Sequence, residues 1–188
     1  MNIILATKSA YKISLLEKLG YSFIAEDSDF DEKPFKNKGI HPKNLASLLA
    51  EAKAKALHQK YPNHCIIGSD QVLALENLIL SKPLSEKKNI EQLMSLSGKT
   101  HTLFTAVCVL YKNRKISFTN KTDLLMRELT LKQIKDYVQK EKAFDCCGGY
   151  KIESYGISLF EKIKTSDFTA IQGLPLIKLN QIISTLDK

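Results

Sequence analysis

The stretch that most constrains the fold of this chain runs from Ile66 to Leu73, with the sequence Ile-Ile-Gly-Ser-Asp-Gln-Val-Leu. The apolar residues predict a core strand that polar residues interrupt. Asp70 would cost several kcal/mol to bury there without a partner, so we expect it to be exposed in a cleft, paired, or bound to a cation. A carboxylate at a break in a core strand can serve an α/β enzyme as a base or metal ligand. The alternative is a strand-edge turn with a solvated aspartate.

The chain is long enough to bury a sizeable core. Its 188 residues are 44% hydrophobic and 26% charged, which suits one globular domain or two tightly joined lobes. No repeat or linker marks a boundary, so we expect residues 1–188 to form a single domain. The net charge of +8 favours anionic partners such as nucleotides, nucleic acid or an acidic surface. No run of Arg and Lys with interleaved aromatic residues indicates a nucleic-acid-binding face.

The four cysteines favour a reducing, cytosolic compartment. Cys65 and Cys108 lie in apolar, strand-like runs and are expected to pack in the core. The adjacent Cys146 and Cys147 do not have metal-ligand spacing. The N-terminus lacks the basic region of a signal peptide, and no apolar run reaches membrane-spanning length. We therefore expect a cytoplasmic protein without membrane contact.

A strand, a polar loop and a helix near the N-terminus together predict an anion site. Residues 2–6 are expected to form a buried strand, and Ser9 is expected to cap a helix that Gly20 closes. Free N–H groups at the start of the helix, its dipole, Lys8 and Lys12 would all attract an anion. An ordinary capped turn is the alternative, since the glycine spacing of a P-loop or a Rossmann turn is absent.

An acidic cluster from Glu26 to Glu32 contrasts with the basic composition of the chain. Its carboxylates could hold a divalent cation, because hard cations take carboxylate oxygens as ligands. A solvated acidic loop is the alternative. The spacing does not match that of an EF-hand.

The stretch from Pro42 to Lys60 predicts an amphipathic helix with an apolar stripe of leucine and alanine. Lys53 lies on the flank of this stripe, about 40° round the helix from Leu49. A lysine in that position either extends its charge to solvent or meets an anion. The sequence leaves both alternatives open.

The remaining segments predict an α/β fold in which helices flank a mixed, twisted sheet. Residues 101–111 and 116–126 have strand character and are joined by a short polar turn, which indicates a hairpin. Residues 130–133 form a capping box for a further helix. Another strand is expected over 157–163, and a last helix is expected to open at 172–175.

The glycine-rich stretch from Asp145 to Gly156 is a second candidate for function. Its three glycines imply special backbone conformations or a close approach to a ligand. Glu153 could accept hydrogen bonds from a purine edge or pair with a cationic ring, and Tyr150 and Tyr155 could stack on a base. A glycine-rich turn with surface tyrosines is the alternative.

Seven stretches are each weak motifs, but their order and spacing make them specific as a set. They are Thr7–Ile13, Ser28–Glu32, Leu49–Ala54, Gly68–Val72, Ser81–Pro83, Ser97–His101 and Gly173–Leu176. From about residue 3 to residue 183 the chain thus resembles the Maf-like nucleoside triphosphate pyrophosphatases. The first five correspond to that family's S-x-S-P-R-[RK], S-D-x-D-E, L-A-x-x-K-A, G-[AS]-D-[TQ]-V and G-K-P. Ala10, Ile13 and Ser81 depart from these patterns, and Lys12 is left as the only cation at the end of the first.

Three positions resemble the branch of the family that hydrolyses 7-methyl-GTP. That branch carries an aromatic residue, a Gln and a Glu where this chain has Tyr11, Gln71 and Glu153. The dTTP/UTP branch instead has Arg, Thr and Gln. The resemblance therefore implies that these three residues determine which base is accepted.

The resemblance also implies a fold with two lobes around a cleft, similar to Maf and ITPase-like proteins, and cleavage of the α–β phosphate bond of a nucleotide. Asp70 would activate the attacking water, directly or through a bound metal, and Glu32 would help hold Mg²⁺ or Mn²⁺. The residues that would neutralise or hydrogen-bond the phosphates are Lys53, Lys82, Lys12, Thr7 and Ser9. A homodimer is the assembly that the resemblance suggests.

Three alternatives stay open on the sequence. The first is an enzyme of the same family with a preference for dTTP or UTP. The second is a nucleotide-binding regulator of cell division, against which the retained Glu32, Lys53, Asp70 and Lys82 argue, because a mere binder would not need the full set. The third is a basic nucleic-acid-binding module, for which the sequence shows no motif.

Overall fold

Single strands or pairs of strands alternate with helices along the chain. The structure is a computed structural model and describes residues 1–35, 39–76 and 78–186. The strands are β1 (Ile3–Ala6), β2 (Phe23–Glu26), β3 (Cys65–Leu75), β4 (Leu78–Leu80), β5 (Thr100–Tyr111), β6 (Arg114–Met126) and β7 (Phe160–Lys164). The helices are α1 (Ala10–Glu17), α2 (Pro42–Lys60), α3 (Glu86–Leu96), α4 (Leu131–Glu141) and α5 (Leu176–Leu186). Short 3₁₀ turns lie at Lys33–Phe35, Cys147–Gly149, Tyr155–Leu159 and Phe168–Gln172.

The strands form one mixed sheet, as the sequence predicts. Their order is β2-β1-β3-β5-β6-β7, with β4 paired to β3. Strand β1 pairs in parallel with β2 and with β3, whereas β4 pairs antiparallel with β3 and β7 antiparallel with β6. Strands β5 and β6 are neighbours joined by two residues, a connection that is possible only for an antiparallel pair. The predicted hairpin is therefore confirmed.

The chain divides into two compact units. The first contains residues 1–71, 105–120 and those from 167 onward, and the second contains 72–104 and 121–166. The prediction of a mixed sheet flanked by helices is confirmed. The predicted single domain and the cleft between lobes stay predictions. In the described ranges, no helix is long and apolar enough to cross a membrane.

The core of the first unit surrounds β1, whose four residues are all buried. A continuous apolar run can be covered on both faces of a parallel sheet, because crossover helices pack on each side. The residues buried around this strand include Leu15, Leu16, Ile67, Leu179 and Ile183. Burial of each such aliphatic side chain contributes about 1.5–3 kcal/mol to the stability of the unit.

Two local predictions were wrong in part. Ser9 occupies the N-cap of α1, but its side chain makes no capping hydrogen bond. Instead, the Ser9 N–H donates to Thr7 Oγ1 at 3.1 Å, so the loop before the helix is closed by the threonine. The strand expected over 157–163 begins only at Phe160. The residues before it form a 3₁₀ turn, in which the Ile157 N–H donates to the carbonyl of Ser154 at 3.4 Å.

Candidate active site

Asp70 lies inside a continuous strand and is largely buried. Strand β3 runs unbroken from Cys65 to Leu75, and its parallel pairing with β1 extends to Gly68. Asp70 is only 8% exposed, so the expected break in the strand and the solvated turn are both wrong. Asp70 lies just past the residues of β3 that pair with β1, at the edge of the sheet where the loop 7–9 also begins.

Lys53 joins two carboxylates. Its Nζ lies 2.5 Å from Asp70 Oδ1 and 2.7 Å from Glu32 Oε1. Of the two alternatives for this lysine, contact with an anion is therefore correct. The aspartate gains the partner that its burial requires, because an unpaired carboxylate in this place would be costly.

Gly68 allows the helix that carries Lys53 to lie close to β3. A Cβ at this glycine would be 2.7 Å from Ala54 N and 2.9 Å from Ala54 Cβ, and it would overlap the carbonyl of Ala50. Gly68 and Asp70 are two residues apart in a strand, so both face α2. Because Gly68 has no side chain, α2 can lie close enough to β3 for the Lys53 ammonium to contact the Asp70 carboxylate.

The environment shifts the pKa values of both members of the pair. Burial raises the pKa of Asp70 above its ordinary value, although the positive charges of Lys53 and Lys12 oppose that shift. Burial also acts to lower the pKa of Lys53, but the carboxylates of Asp70 and Glu32 outweigh it and raise that pKa. The ammonium is therefore charged at neutral pH, and the aspartate is a stronger base than an exposed one.

Lys12 lies next to this pair. From α1 its Nζ donates a hydrogen bond to the backbone carbonyl of Ser69 at 2.8 Å. Tyr11 is half-buried in the first turn of the same helix, and Thr7 and Ser9 lie in the loop before it. Lys8, which was expected to add positive charge there, instead forms an ion pair with Asp27.

Gln71 faces away from Asp70. Its Nε2 donates to Thr105 Oγ1 at 2.9 Å and to the carbonyls of Ala170 and Ile171 at 2.9 and 3.0 Å. Carbonyl oxygens can only accept hydrogen bonds, so the amide nitrogen of Gln71 must be the atom that faces the two carbonyls. The side chain proposed to choose the base therefore also connects β3 to the turn Phe168–Gln172.

Two predicted site residues lie in the second unit. Lys82 is exposed after β4, and Glu153 is exposed just before the turn Tyr155–Leu159. Tyr150, which was expected to stack on a base, is 4% exposed, and its hydroxyl lies 2.9 Å from His101 Nε2. The interpretation of Tyr150 as a stacking platform is wrong, because its ring packs in the core against His101 and Phe160.

The donor set suits a magnesium-like ion that is bound together with a substrate. Among the described residues, no group of three or more His, Cys, Asp and Glu side chains forms a ready-made metal site. Asp70 and Glu32 contact the same ammonium and so lie close to each other. Mg²⁺ typically takes one or two carboxylates, with waters and substrate phosphates as the other ligands. The two carboxylates fit that pattern.

Sequence reasoning missed three residues that hold these groups in place. Ser69 Oγ donates to the Gly173 carbonyl at 2.8 Å, and Thr105 Oγ1 donates to the Ala170 carbonyl at 2.9 Å. Gly173 itself lies beside the side chain of Lys12. Ser69 and Gly173 fall within motifs of the resemblance, but Thr105 had no local signal because its partners are more than 30 residues away.

Comparison with known proteins gives consistent matches along the chain. A sequence model of the family described as Maf-like protein matches residues 2–186. The 7-methyl-GTP pyrophosphatase of Bdellovibrio bacteriovorus is 45% identical over 96% of this chain and 95% of its own length. The protein of the same name from Aliivibrio fischeri is 40% identical over 94% of this chain and 92% of its own length. A solved structure of the Staphylococcus aureus Ham1 protein aligns with 68% of this chain and 73% of its own, with 20% identity and a TM-score of 0.47.

Proposed function

Because the chain belongs to the Maf-like protein family, we propose that it hydrolyses 7-methyl-GTP to 7-methyl-GMP and pyrophosphate. The curated relatives of that name match nearly the whole chain at 37–45% identity. The protein is accordingly a hydrolase that acts on a phosphoanhydride bond of a nucleotide.

The observation that best supports this function is the group of charges around Asp70. Lys53 joins Asp70 and Glu32, and Lys12 is held on the carbonyl of the residue before Asp70. Hydrolysis of a phosphoanhydride needs charge neutralisation on the phosphates and an aligned water. Two cations and two carboxylates in one place supply both requirements.

In the proposed mechanism Asp70 acts as the general base. It accepts a proton from the attacking water. Mg²⁺ or Mn²⁺ held by Asp70 and Glu32 would neutralise charge on the phosphates. Lys53 joins the two carboxylates and would bind the phosphate chain as well.

The rest of the site would bind the triphosphate. Lys12 and Lys82 would neutralise phosphate charge, and Thr7 and Ser9 would donate hydrogen bonds from the loop before α1. This assignment is supported by the position of the loop at the start of a helix, where free N–H groups and the helix dipole favour an anion.

Base selection is assigned to Tyr11, Gln71 and Glu153. The ring of Tyr11 would stack on the methylated base, and Gln71 would hydrogen-bond its edge. 7-Methylguanine carries a positive charge, which a carboxylate at Glu153 would complement and a neutral Gln would not. The exposure of Glu153 leaves its charge accessible to a ligand.

We further propose that the enzyme works in the cytoplasm as a homodimer. The cytoplasm is supported by the cysteines: Cys65 and Cys108, two of the four, are wholly buried in strands, where they pack as small apolar residues.

Light scattering of the purified chain would test the dimer, and a mass equal to that of one chain at working concentrations would exclude it.

The function is tested by pyrophosphate release from 7-methyl-GTP, GTP, dTTP and UTP, each with Mg²⁺, Mn²⁺ or Co²⁺. We expect the highest kcat/KM for 7-methyl-GTP and no turnover when the metal is chelated. Equal hydrolysis of 7-methyl-GTP and UTP would overturn the proposed selectivity, and a preference for dTTP or UTP would support the alternative branch. Nucleotide binding without any pyrophosphate release would support the regulator.

A further inference from the structure

The segment 167–177 is fixed to strand β3 through its backbone carbonyls. Ser69 Oγ donates to the Gly173 carbonyl at 2.8 Å, and Gln71 Nε2 donates to the carbonyls of Ala170 and Ile171 at 2.9 and 3.0 Å. Ser69 and Gln71 share the face of the strand opposite to that of Asp70. The strand that carries the proposed base is thus attached on its other face to this segment.

Asp167 closes the same segment on itself. Its Oδ1 accepts hydrogen bonds from the Thr169 N–H and hydroxyl at 3.0 and 2.6 Å, and its Oδ2 accepts one from the Ile177 N–H at 2.8 Å. Thr169 Oγ1 also accepts from the Leu176 N–H at 2.9 Å. Both ends of the segment are therefore tied to one carboxylate, which gives Gly173 a defined position.

Gly173 lies directly against the side chain of Lys12. A Cβ added at this glycine would be 3.0 Å from Lys12 Cε, 3.6 Å from Cγ and 3.9 Å from Cδ. The Nζ at the end of the Lys12 side chain donates to the Ser69 carbonyl at 2.8 Å. A lysine side chain loses up to about 2 kcal/mol of rotamer entropy when it is fixed. Here the glycine surface and the carbonyl fix it before any ligand binds.

We propose that Gly173 is a positioning residue for Lys12, and that the missing side chain of this glycine leaves the space in which the lysine presents its ammonium to a phosphate group. The proposal rests on the phosphate-binding role assigned to Lys12 under the proposed function. It assigns to the segment 167–177 a part in phosphate binding, although the one charged side chain of the segment, Asp167, is hydrogen-bonded to Thr169 and Ile177 of the same segment.

The test is a double-mutant cycle that uses inorganic pyrophosphate as the probe. Gly173→Ala, Lys12→Ala and the double variant are compared by calorimetric titration with pyrophosphate and by KM and kcat for 7-methyl-GTP. We expect Gly173→Ala to weaken pyrophosphate binding about tenfold and to raise KM more than it lowers kcat, since a hydrogen bond to a charged group is disturbed. In the Lys12→Ala background the same change should have no further effect, because the two residues would act through one contact.

Gly20→Ala is the matched control. Gly20 also has a positive φ, 72° against 104° at Gly173, but a Cβ there would meet nothing within 4 Å. The Gly20→Ala variant should leave pyrophosphate affinity unchanged.

If Gly173→Ala does not fold, Asp167→Asn loosens the same segment, and the loss of pyrophosphate affinity that it causes should likewise disappear in the Lys12→Ala background. Equal losses in both backgrounds, or unchanged affinity in Gly173→Ala, would overturn the proposal. Absence of 7-methyl-GTP turnover in the wild type would refute the proposed function alone, because pyrophosphate binding is measured separately.

Discussion

At the scale of single residues, the chemistry depends on a carboxylate that is buried and paired. Asp70 contacts Lys53 on the side that faces α2, and Lys53 also contacts Glu32. Removing the charge of Asp70 therefore leaves the lysine with a partner, whereas removing the lysine would leave a buried carboxylate without its nearest cation. This asymmetry makes Asp70 the better residue for separating catalysis from folding.

Asp70→Asn is expected to lower kcat for 7-methyl-GTP by about 10²–10⁴-fold while the fold is retained, because the amide has the same shape but cannot act as a base. Pyrophosphate release and thermal unfolding measure the two effects. Asp136→Asn removes an exposed carboxylate from α4 and serves as the control. Near-normal turnover in Asp70→Asn would show that another group is the base.

Glu153→Gln is expected to lower the preference for 7-methyl-GTP over GTP by roughly two- to fivefold, the range for an exposed charge pair. The two substrates differ in the positive charge of the methylated ring, so the ratio of their kcat/KM values isolates the charge effect. Glu161→Gln changes an exposed carboxylate of β7 and should leave the ratio unchanged. If the ratio also stays the same in Glu153→Gln, this residue does not choose the base.

At the scale of elements, sequence patterns predict local structure better than they predict partners. Helix α2 has the bounds that its apolar stripe indicates, and Thr130 and Gln133 form the expected capping box. Ser9, with the same kind of residue at an N-cap, makes no side-chain capping bond. The burial of Tyr150 could not be predicted, because its partner His101 lies 49 residues earlier in the chain.

The same limit applies to the site. The surroundings of Asp70, Lys53 and Glu32 in the sequence, together with the resemblance, made them candidates, but they did not show that one ammonium joins the two carboxylates. Nor could it indicate that Gln71 bonds to carbonyls about 100 residues away. Such contacts depend on strand register and on the distance between a helix and a sheet, which no local pattern contains.

Gly68→Ala is expected to separate α2 from β3 and so to weaken the contact between Lys53 and Asp70. The added Cβ overlaps helix backbone, which cannot move as a flexible side chain can. We expect a loss of about 1–3 kcal/mol in the free energy of unfolding, together with lower turnover. Gly20→Ala, in open space, should lose about 1 kcal/mol through its positive φ and keep full activity. Wild-type stability and turnover in Gly68→Ala would contradict this account of the helix position.

At the scale of the whole molecule, stability should depend on pH through a buried histidine. His101 is 1% exposed, and burial lowers its pKa from 6.5 to about 4. Between these two pH values the unfolded chain binds a proton that the folded chain does not, so stability falls as the pH drops. The contribution is complete above about pH 6.5 and is lost as the pH falls towards 4, with a total of about 3 kcal/mol.

Urea unfolding at a series of pH values, for the wild type and for His101→Phe, tests this expectation. Carboxylates also titrate near pH 4, so the difference between the two proteins isolates the histidine. The wild type should lose more stability than the variant between pH 6.5 and 4. Parallel curves in that range would show that His101 does not control the acid response.

The first unit is assembled from three separate parts of the chain, and this has a consequence for synthesis on the ribosome. Residues 1–71 supply the charged groups around Asp70, but Gly173 and the carbonyls of Ala170 and Ile171 come from the third part. A nascent chain that has been translated only as far as residue 166 therefore has Lys12 without the surface against which it lies. Ribosome-bound chains stalled before and after this segment should differ in pyrophosphatase activity, with turnover appearing only once residues 167–177 have left the exit tunnel.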